Sequence, residues 1–507
     1  MRSYLPDEGI YTFVGWSWLQ GDWPYRDVWD HKGPVIFLVT LLRTALFGSA
    51  PEWTGVQEIG MGLLTAALLA LAAYRLWGGI AASFTGLMGV ILWAQLGPTG
   101  GHMSTAGSII ALLNAVCILA AVHAAAATGR TRALLLIALG VTGSLGFLAK
   151  PNAIGGIVAG TIILLWLARR SGTRRLLTDG GLLALGVALP MVIVAIVFGI
   201  AGALAQLIDV AYVYNATVRG PTILAEYGVA GMVARVARGL LRLHVLLPAG
   251  IIMMAAALAL LERVRSPRSS LAGDVEWIVP VWLGLELLIY LSNGVYGHHI
   301  YPVLFTIALG AGWLVALTLR LLPEGHRIWA LVPVVPLLVW PAAELARLNR
   351  PPDQDKPDWR LVGERIQRDT RPDERVLVFA RHWGPSVLAI SERRTAIRYI
   401  HSPPLHVRGY ASNERWGEVV ELLRGPDAPP FVVLPSWKVG DEPEGGPTVE
   451  WLAGGIDMDN ATGPMADPVP YPNRGVMKEL LAQRYDLDYC EGVLCVLRLR
   501  TAGRDRS

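Results

Sequence analysis

Charge is scarce in this chain: Asp, Glu, Lys and Arg make up 17% of its 507 residues, against 53% hydrophobic residues. With a mean hydropathy of +0.44, such a composition describes a lipid-solvated protein with a soluble part attached. The net charge is only +4, and no basic run alternates with aromatics, which argues against a nucleic-acid surface. Cysteine is nearly absent as well. Cys117 lies in an apolar segment and no metal-ligand spacing exists, while Cys490 and Cys495 flank a Glu-Gly turn. That pair either bridges a hairpin in an oxidising compartment or remains two inert thiols. A Gly-rich phosphate fingerprint and a clear internal repeat are also missing, which counts against a nucleotide site and against a repeat-built transporter.

What the chain has in abundance is apolar runs. A bilayer core of about 30 Å asks for roughly 20 apolar residues per helix. About ten stretches qualify or nearly do: Val56 to Trp77, Ile80 to Gln95, Thr105 to Ala127, Leu134 to Ala149, Ala153 to Arg169, Leu182 to Ala201, Leu240 to Leu261, Ile278 to Leu291, Ile300 to Leu322 and Ile328 to Leu348. Basic residues fall in every second connection: Arg75; Arg130 and Arg132; Arg169, Arg170, Arg174 and Arg175; Arg263, Arg265 and Arg268; Arg320 and Arg327. The positive-inside rule makes those connections cytoplasmic, so residues 1–55 and everything after about Asn349 are expected outside.

Pro34 to Gly48 is apolar too, but it is short and carries Arg43, and an Arg at a bilayer centre costs about 2.5 to 3.5 kcal/mol. It is expected to lie in the interface as an amphipathic helix, as is Ile10 to Leu19. An outer N-terminus with neither signal peptide nor preceding helix lacks an export route, so a first helix is expected upstream of Met1.

After Arg350-Pro351-Pro352 the composition turns polar and apolar runs shorten to strand length: Val376 to Ala380, Phe431 to Leu434 and Val493 to Leu497. Helical patterns at Trp359 to Asp369, Arg415 to Arg424 and Val476 to Arg484 alternate with them. This predicts a small α/β domain with a partly parallel sheet over 350–507, beside a helical membrane domain over 1–349. Gly440 to Tyr471 is expected to be a long loop.

The first outer loop is rich in functional residue types. It reads Asp7-Glu8-Gly9-Ile10-Tyr11, then Gly21-Asp22-Trp23-Pro24-Tyr25-Arg26-Asp27, then Trp29-Asp30-His31-Lys32-Gly33-Pro34. An acidic pair outside a membrane helix, a Gly-x-x-Pro-Tyr-x-Asp turn and a basic residue before Gly-Pro resemble the first loop of type C glycosyltransferases. The nearest branches are those similar to protein O-mannosyltransferases and to the enzymes that add aminoarabinose to lipid A. The resemblance continues through Leu148-Ala149-Lys150-Pro151, Tyr296-Gly297-His298-His299-Ile300-Tyr301-Pro302 and Ser391-Glu392-Arg393-Arg394-Thr395-Ala396-Ile397-Arg398-Tyr399, and so covers nearly the whole chain.

It implies an inverting transfer of sugar from a polyprenyl-phosphate donor to a hydroxyl-bearing acceptor, on the outer face of the bacterial cytoplasmic membrane. The residue types suit that chemistry independently. A polyprenyl phosphate already leaves well, so transfer needs a carboxylate to take the acceptor's proton and cations to hold the departing phosphate. Asp7 is the expected base, with Glu8 orienting the acceptor or a metal; the same position equally suits a helix cap. Lys32 and Lys150 are the expected phosphate ligands, with Arg26 and Arg219 beside them; snorkelling to headgroups is the alternative for Lys150 and Arg219. Tyr25, His298, His299 and His102 are candidates for acceptor or phosphate contact, or are polar interfacial residues without function.

Leu96 to Ser108 carries no Asp or Glu where many relatives place an acid in the second outer loop, which puts a divalent metal in doubt. No metal or other cofactor is expected to be required. Glu286, inside an apolar helix, is functional, protonated or paired. Two other readings stay open: a flippase of lipid-linked sugars, and a relative that binds lipid phosphates without catalysis.

Overall fold

The structure, a computed structural model, describes residues 6–100, 105–220, 228–235, 237–238, 246–265, 274–293, 300–324, 359–380, 383–401, 403–407, 409–435, 448–455, 471–492 and 494–500. In chain order its longer helices begin with α1 (Pro6–Leu19), α2 (Pro34–Phe47), α3 (Pro51–Trp77), α4 (Gly79–Gly100), α5 (Thr105–Ala126), α6 (Gly129–Ala149), α7 (Gly155–Arg170) and α8 (Thr173–Ile200). A short helix α9 (Leu204–Ile208) runs into two π-helical segments, Asp209–Val213 and Asn215–Arg219. Then come α10 (Leu246–Arg265), α11 (Ile278–Asn293), α12 (Tyr301–Leu321), α13 (Trp359–Asp369), β1 (Val376–Val378), α14 (Gly384–Ser391), α15 (Asn413–Arg424), β2 (Phe431–Pro435), α16 (Val449–Gly455), α17 (Pro472–Arg484), β3 (Tyr485–Glu491) and β4 (Leu494–Leu499). The chain divides into two compact units, one of residues 56–197 and 229–351, the other of residues 1–55, 198–228 and 352–507.

The helical unit answers the apolar pattern closely. Nine of the ten expected spans fall on helices, most within a few residues of their expected bounds; the helix over Leu182 to Ala201 begins earlier, at Thr173, that over Leu240 to Leu261 is described from Leu246, and the tenth, Ile328 to Leu348, lies outside the described residues. Among the described residues, α3, α5, α6, α8 and α12 are long and apolar enough to cross a membrane; Gly79–Ala94, Leu247–Leu260 and Ile278–Ser292 are shorter apolar helices. Buried along most of its length, α12 packs against α4, α5, α10 and α11. By contrast, α8 shows Leu185, Leu189, Val192, Ile193 and Ile196 outward, the surface that lipid would cover.

Small residues let these helices close up, since lipid offers no hydrophobic drive between them. A Cβ on Gly140 would lie 2.4 Å from the Leu183 carbonyl, so α6 and α8 meet backbone to backbone. Glu286 is buried and accepts hydrogen bonds from Asn114 Nδ2 (2.8 Å) and Trp282 Nε1 (2.9 Å), while Asn114 Oδ1 accepts from the Gly156 N–H (3.0 Å). It therefore ties α5, α7 and α11 together. At helix ends Arg132 pairs with Asp179 (2.5 Å), Arg170 with Asp274, and Arg320 with Glu276 (2.7 Å).

The second unit carries a four-stranded sheet in the order β1-β2-β4-β3. β1 and β2 are parallel, while β4 runs antiparallel to both its neighbours, β2 and β3. Three strands match the expected apolar runs; β3 was not expected. Cys490 and Cys495 sit opposite each other on β3 and β4 and form a disulfide. Most of Gly440 to Tyr471, expected to be a loop, lies outside the described residues, apart from α16.

In the same unit α1 lies against α2 and α14. A Cβ on Gly9 would stand 2.1 Å from Ser386 Oγ, and one on Gly15 would stand 2.7 Å from the Leu41 nitrogen, so both glycines mark close crossings. At 14 residues, roughly 21 Å, α2 is too short to span. Arg43 turns inward to the Thr54 and Thr12 hydroxyls (2.5 and 2.7 Å), while Leu38, Leu42 and Leu46 form one exposed apolar stripe.

Candidate active site

The first loop is built around a turn. Gly21 has φ +92°, and the Asp27 carboxylate accepts from the Trp23 N–H (2.8 Å). Tyr25 holds a left-handed backbone (φ 71°), and its N–H donates to the Val28 carbonyl (2.7 Å). Its ring is buried between Phe37 and Phe198, 5.8 Å from each, and its hydroxyl donates to the Lys32 carbonyl (2.7 Å). Burial pushes the Tyr25 phenol well above its ordinary pKa, so it stays a donor. Tyr25 thus acts through the Lys32 backbone, and no face of it is open to an acceptor.

Arg26 is also engaged. Its guanidinium grips Asp27 (2.7 Å) and donates to the Ala201 carbonyl (2.6 Å). Burial works against the Asp27 charge, but the Arg26 hydrogen bond, the Trp23 N–H and the Arg26 and Arg375 charges outweigh it and hold the carboxyl below its ordinary pKa. Arg26 therefore fastens the turn to the segment after α8.

Asp7 and Glu8 fall in the first turn of α1, where carboxylates favour the helix dipole. Asp7 is half-buried and accepts from the Tyr11 hydroxyl (3.2 Å); Glu8 is buried. One helical turn on, the Tyr11 ring lies under the Lys32 ammonium, 5.8 Å from its centroid. Lys32 Nζ is 3.1 Å from His31 Nε2, and His31 Nδ1 is 3.7 Å from Asp30 Oδ2. Asp30 is buried; its Oδ1 accepts from the Lys32 N–H (3.0 Å), and its Oδ2 is 3.1 Å from His401 Nε2. A series of side chains therefore leads from Asp7 through Tyr11, Lys32 and His31 to Asp30 and His401, with a cation–π step between Tyr11 and Lys32 and a 3.7 Å separation between His31 and Asp30.

Aromatic rings wall its inner end. Trp29 stands edge-on to Tyr214 (5.3 Å) and 5.2 Å from the His401 ring, and its indole N–H donates to the Tyr410 hydroxyl (3.2 Å). The Tyr410 hydroxyl in turn donates to Asp209 (3.3 Å). Asn215 uses its amide to hold the His31 carbonyl (2.8 Å).

Among the described residues Asp30, His31 and His401 form a group whose donor atoms, within 4.8 Å of one another, come near enough to share an ion. Within the trio Asp30 Oδ2 lies 3.1 Å from His401 Nε2 and 3.7 Å from His31 Nδ1. With the Lys32 ammonium donating to His31 Nε2, the His31 proton is assigned to Nδ1, on the side of Asp30 but 3.7 Å from its Oδ2, beyond hydrogen-bond reach.

The remaining expected residues fall elsewhere. Lys150 follows α6 in the helical unit, with its N–H on the Gly146 carbonyl. Arg219 ends the second π-helical segment, and its side chain is not described; His102, His298 and His299 lie outside the described residues. In the helical unit a buried acid missed by the sequence reading, Glu58 of α3, accepts from the Thr105 hydroxyl (2.8 Å). Asp30 and His31 stood inside the quoted motif without a role. His401, Tyr410 and Asp209 carried no signal, since nothing local links them to the first loop.

Comparison with solved structures gives the fold its relatives. The fold is similar to that of ArnT. Crystal structures of ArnT from Cupriavidus metallidurans, bound to undecaprenyl phosphate and in the apo state, match at TM-score 0.57 over 98% of this chain and 94% of that one, with 14% identity. Archaeal oligosaccharyltransferase AglB from Archaeoglobus fulgidus, in complex with an inhibitory peptide and a dolichol-phosphate, matches at TM-score 0.47 and 11% identity, over 85% of this chain and 65% of that chain. No protein-family model matches, nor does any curated protein sequence. At this identity the likeness to ArnT establishes the fold, and at that level it bears out the resemblance to type C glycosyltransferases. With its apolar helices, it describes an integral membrane protein.

Proposed function

We propose that the chain is an inverting glycosyltransferase that moves a sugar from a polyprenyl-phosphate carrier to a hydroxyl acceptor at the outer face of a bacterial cytoplasmic membrane. The observation that carries this reading is the pairing of a carboxylate with a cation along one face of α1: Asp7 holds the Tyr11 hydroxyl, and the Tyr11 ring meets Lys32. In the reaction the acceptor oxygen attacks the anomeric carbon and its proton passes to Asp7. The bond from that carbon to the phosphate oxygen breaks, and its electron pair leaves with the phosphate, whose growing charge Lys32 stabilises. Glu8 orients the acceptor. Tyr25, Arg26 and Asp27 stiffen the turn that presents Lys32. Lys150 is a lipid-phosphate ligand in its own unit, to be tested separately, as are Arg219, His102, His298 and His299. The undecaprenyl phosphate bound to ArnT supports the donor class. The Cys490–Cys495 disulfide supports an oxidising, extracytoplasmic setting for the sheet.

The test is transfer from radiolabelled polyprenyl-phosphate sugars to membrane acceptors by the wild type and by Asp7→Asn at matched expression. Transfer is expected to fall by about 10²-fold or more in the variant with donor binding kept, the range of general base catalysis. Equal transfer by both proteins would remove Asp7 from the mechanism. Carrier movement across the membrane without transfer, over a broad donor panel, would favour a flippase.

A further inference from the structure

A sugar donor and its spent carrier differ in charge. The donor phosphate is a diester with one negative charge; once the sugar leaves it is a monoester carrying about −1.5 to −2 at pH 7. A site that drives the reaction gains by holding the second form better. Lys32 and buried Asp30 carry opposite charges, so these two residues alone offer little net positive charge to a doubly charged phosphate. Histidine is the side chain whose charge changes near neutral pH. His31 has one nitrogen on each side of this balance: Nε2 beside the Lys32 ammonium (3.1 Å) and Nδ1 toward Asp30 (3.7 Å).

We propose that His31 is a second phosphate-binding group beside Lys32, selective for the spent monoester, and that Asp30 and His401 are the positioning residues that let it carry charge. This rests on the reading of Lys32 as a carrier-phosphate ligand. Lys32 Nζ lies 3.1 Å from His31 Nε2, an arrangement in which the ammonium donates and the imidazole accepts. As the carbon–oxygen bond breaks and its electron pair stays on the phosphate, His31 takes a proton from solvent and Nε2–H joins Lys32 in donating to the phosphate oxygens. Asp30 then faces an imidazolium, with its Oδ1 already held by the Lys32 N–H and its Oδ2 beside His401.

The other groups around His31 do not compete for this role. Trp29 and Tyr214 offer rings (6.1 and 5.9 Å), Asn215 holds the backbone carbonyl, and Asp209 is occupied by Tyr410. The His31 side chain is 11% exposed while that of Asp30 is fully buried, so the imidazole is the layer of the cluster that an anion can reach.

The experiment is calorimetry on the full chain in detergent, with polyprenyl phosphate as the monoester and its methyl ester as the diester. Wild type, His31→Gln, His31→Asn and Lys32→Ala are compared, each checked by thermal unfolding. The His31 variants are expected to lose about tenfold in monoester affinity and little for the diester, while Lys32→Ala weakens both. At pH 8, where the monoester is already fully charged, wild type is expected to take up protons on binding it, read from buffers of different ionisation enthalpy, and to take up none with the diester. That readout needs no variant. Equal losses for both lipids, or no proton uptake, would overturn the role of His31 and leave Lys32 standing. Stoichiometric zinc in the purified protein would also overturn it in favour of a metal on the same three residues. A wild type that binds neither lipid would remove the glycosyltransferase reading and this inference with it.

Discussion

Tyr25 keeps a backbone conformation that L residues seldom adopt, because what it secures is worth more than the strain: a buried ring between two phenylalanines and a hydroxyl on the Lys32 carbonyl. Tyr25→Phe keeps the ring and loses the tether, so it is expected to cost about 1 kcal/mol, read as about fivefold weaker binding of polyprenyl phosphate in the calorimeter. Asp27 makes a pH prediction. Its folded pKa lies below the unfolded value of about 3.9, so its contribution is complete above that value and is lost as pH falls through the folded pKa. Thermal unfolding scans at pH 3 and pH 6 are expected to show a smaller acid-induced drop in Asp27→Asn than in wild type. The motif around these residues was legible as a string of residue types. Its division of labour was not, because Tyr25 and Arg26 spend their polar atoms on backbone carbonyls, which a sequence does not display.

At the scale of elements, α1 is placed by two glycines. At Gly15 the neighbours are the Thr40 hydroxyl and the backbone of Thr40 and Leu41, and the backbone cannot swing aside as a side chain can. Gly15→Ala is therefore expected to destabilise the protein by about 1–3 kcal/mol, measurable as a lowered thermal midpoint, through the overpacking that close-packed interiors resist. Helices were legible because apolar runs of the right length leave little choice in a chain with so little charge. The edge strand β3 was missed although Tyr485-Asp486-Leu487-Asp488-Tyr489 alternates apolar and acidic residues: the other strands stand out as continuous apolar runs, and an edge strand that is half-exposed or exposed after its first residue has none. The interfacial reading of α2 rested on its shortness and on the cost of Arg43 at a bilayer centre; Arg43 is buried within the protein, with Thr12 and Thr54 receiving its donors. The exposed Leu38, Leu42 and Leu46 are what keep the interfacial reading standing.

For the whole molecule, the site draws together segments that are far apart in the chain: Asp30 meets His401 and Trp29 meets Tyr410, in a unit assembled from residues 1–55, 198–228 and 352–507. Composition separates apolar from polar chain but carries no information about such pairings, so the end of the site near Asp7 and Lys32 was legible and the end near His401 was not. Orientation can be tested through the one feature that responds to compartment. The Cys490–Cys495 disulfide persists only where the surroundings are oxidising, and Cys117 is buried. If the sheet is extracytoplasmic, a membrane-impermeant maleimide applied to intact spheroplasts should label the protein after mild reduction and not before, and Cys495→Ser should leave one exposed thiol at Cys490 without any reductant. Labelling that requires permeabilisation of the membrane in both proteins would put the hairpin on the cytoplasmic side. That result would reverse the alternation of basic connections on which the outer position of Asp7 depends.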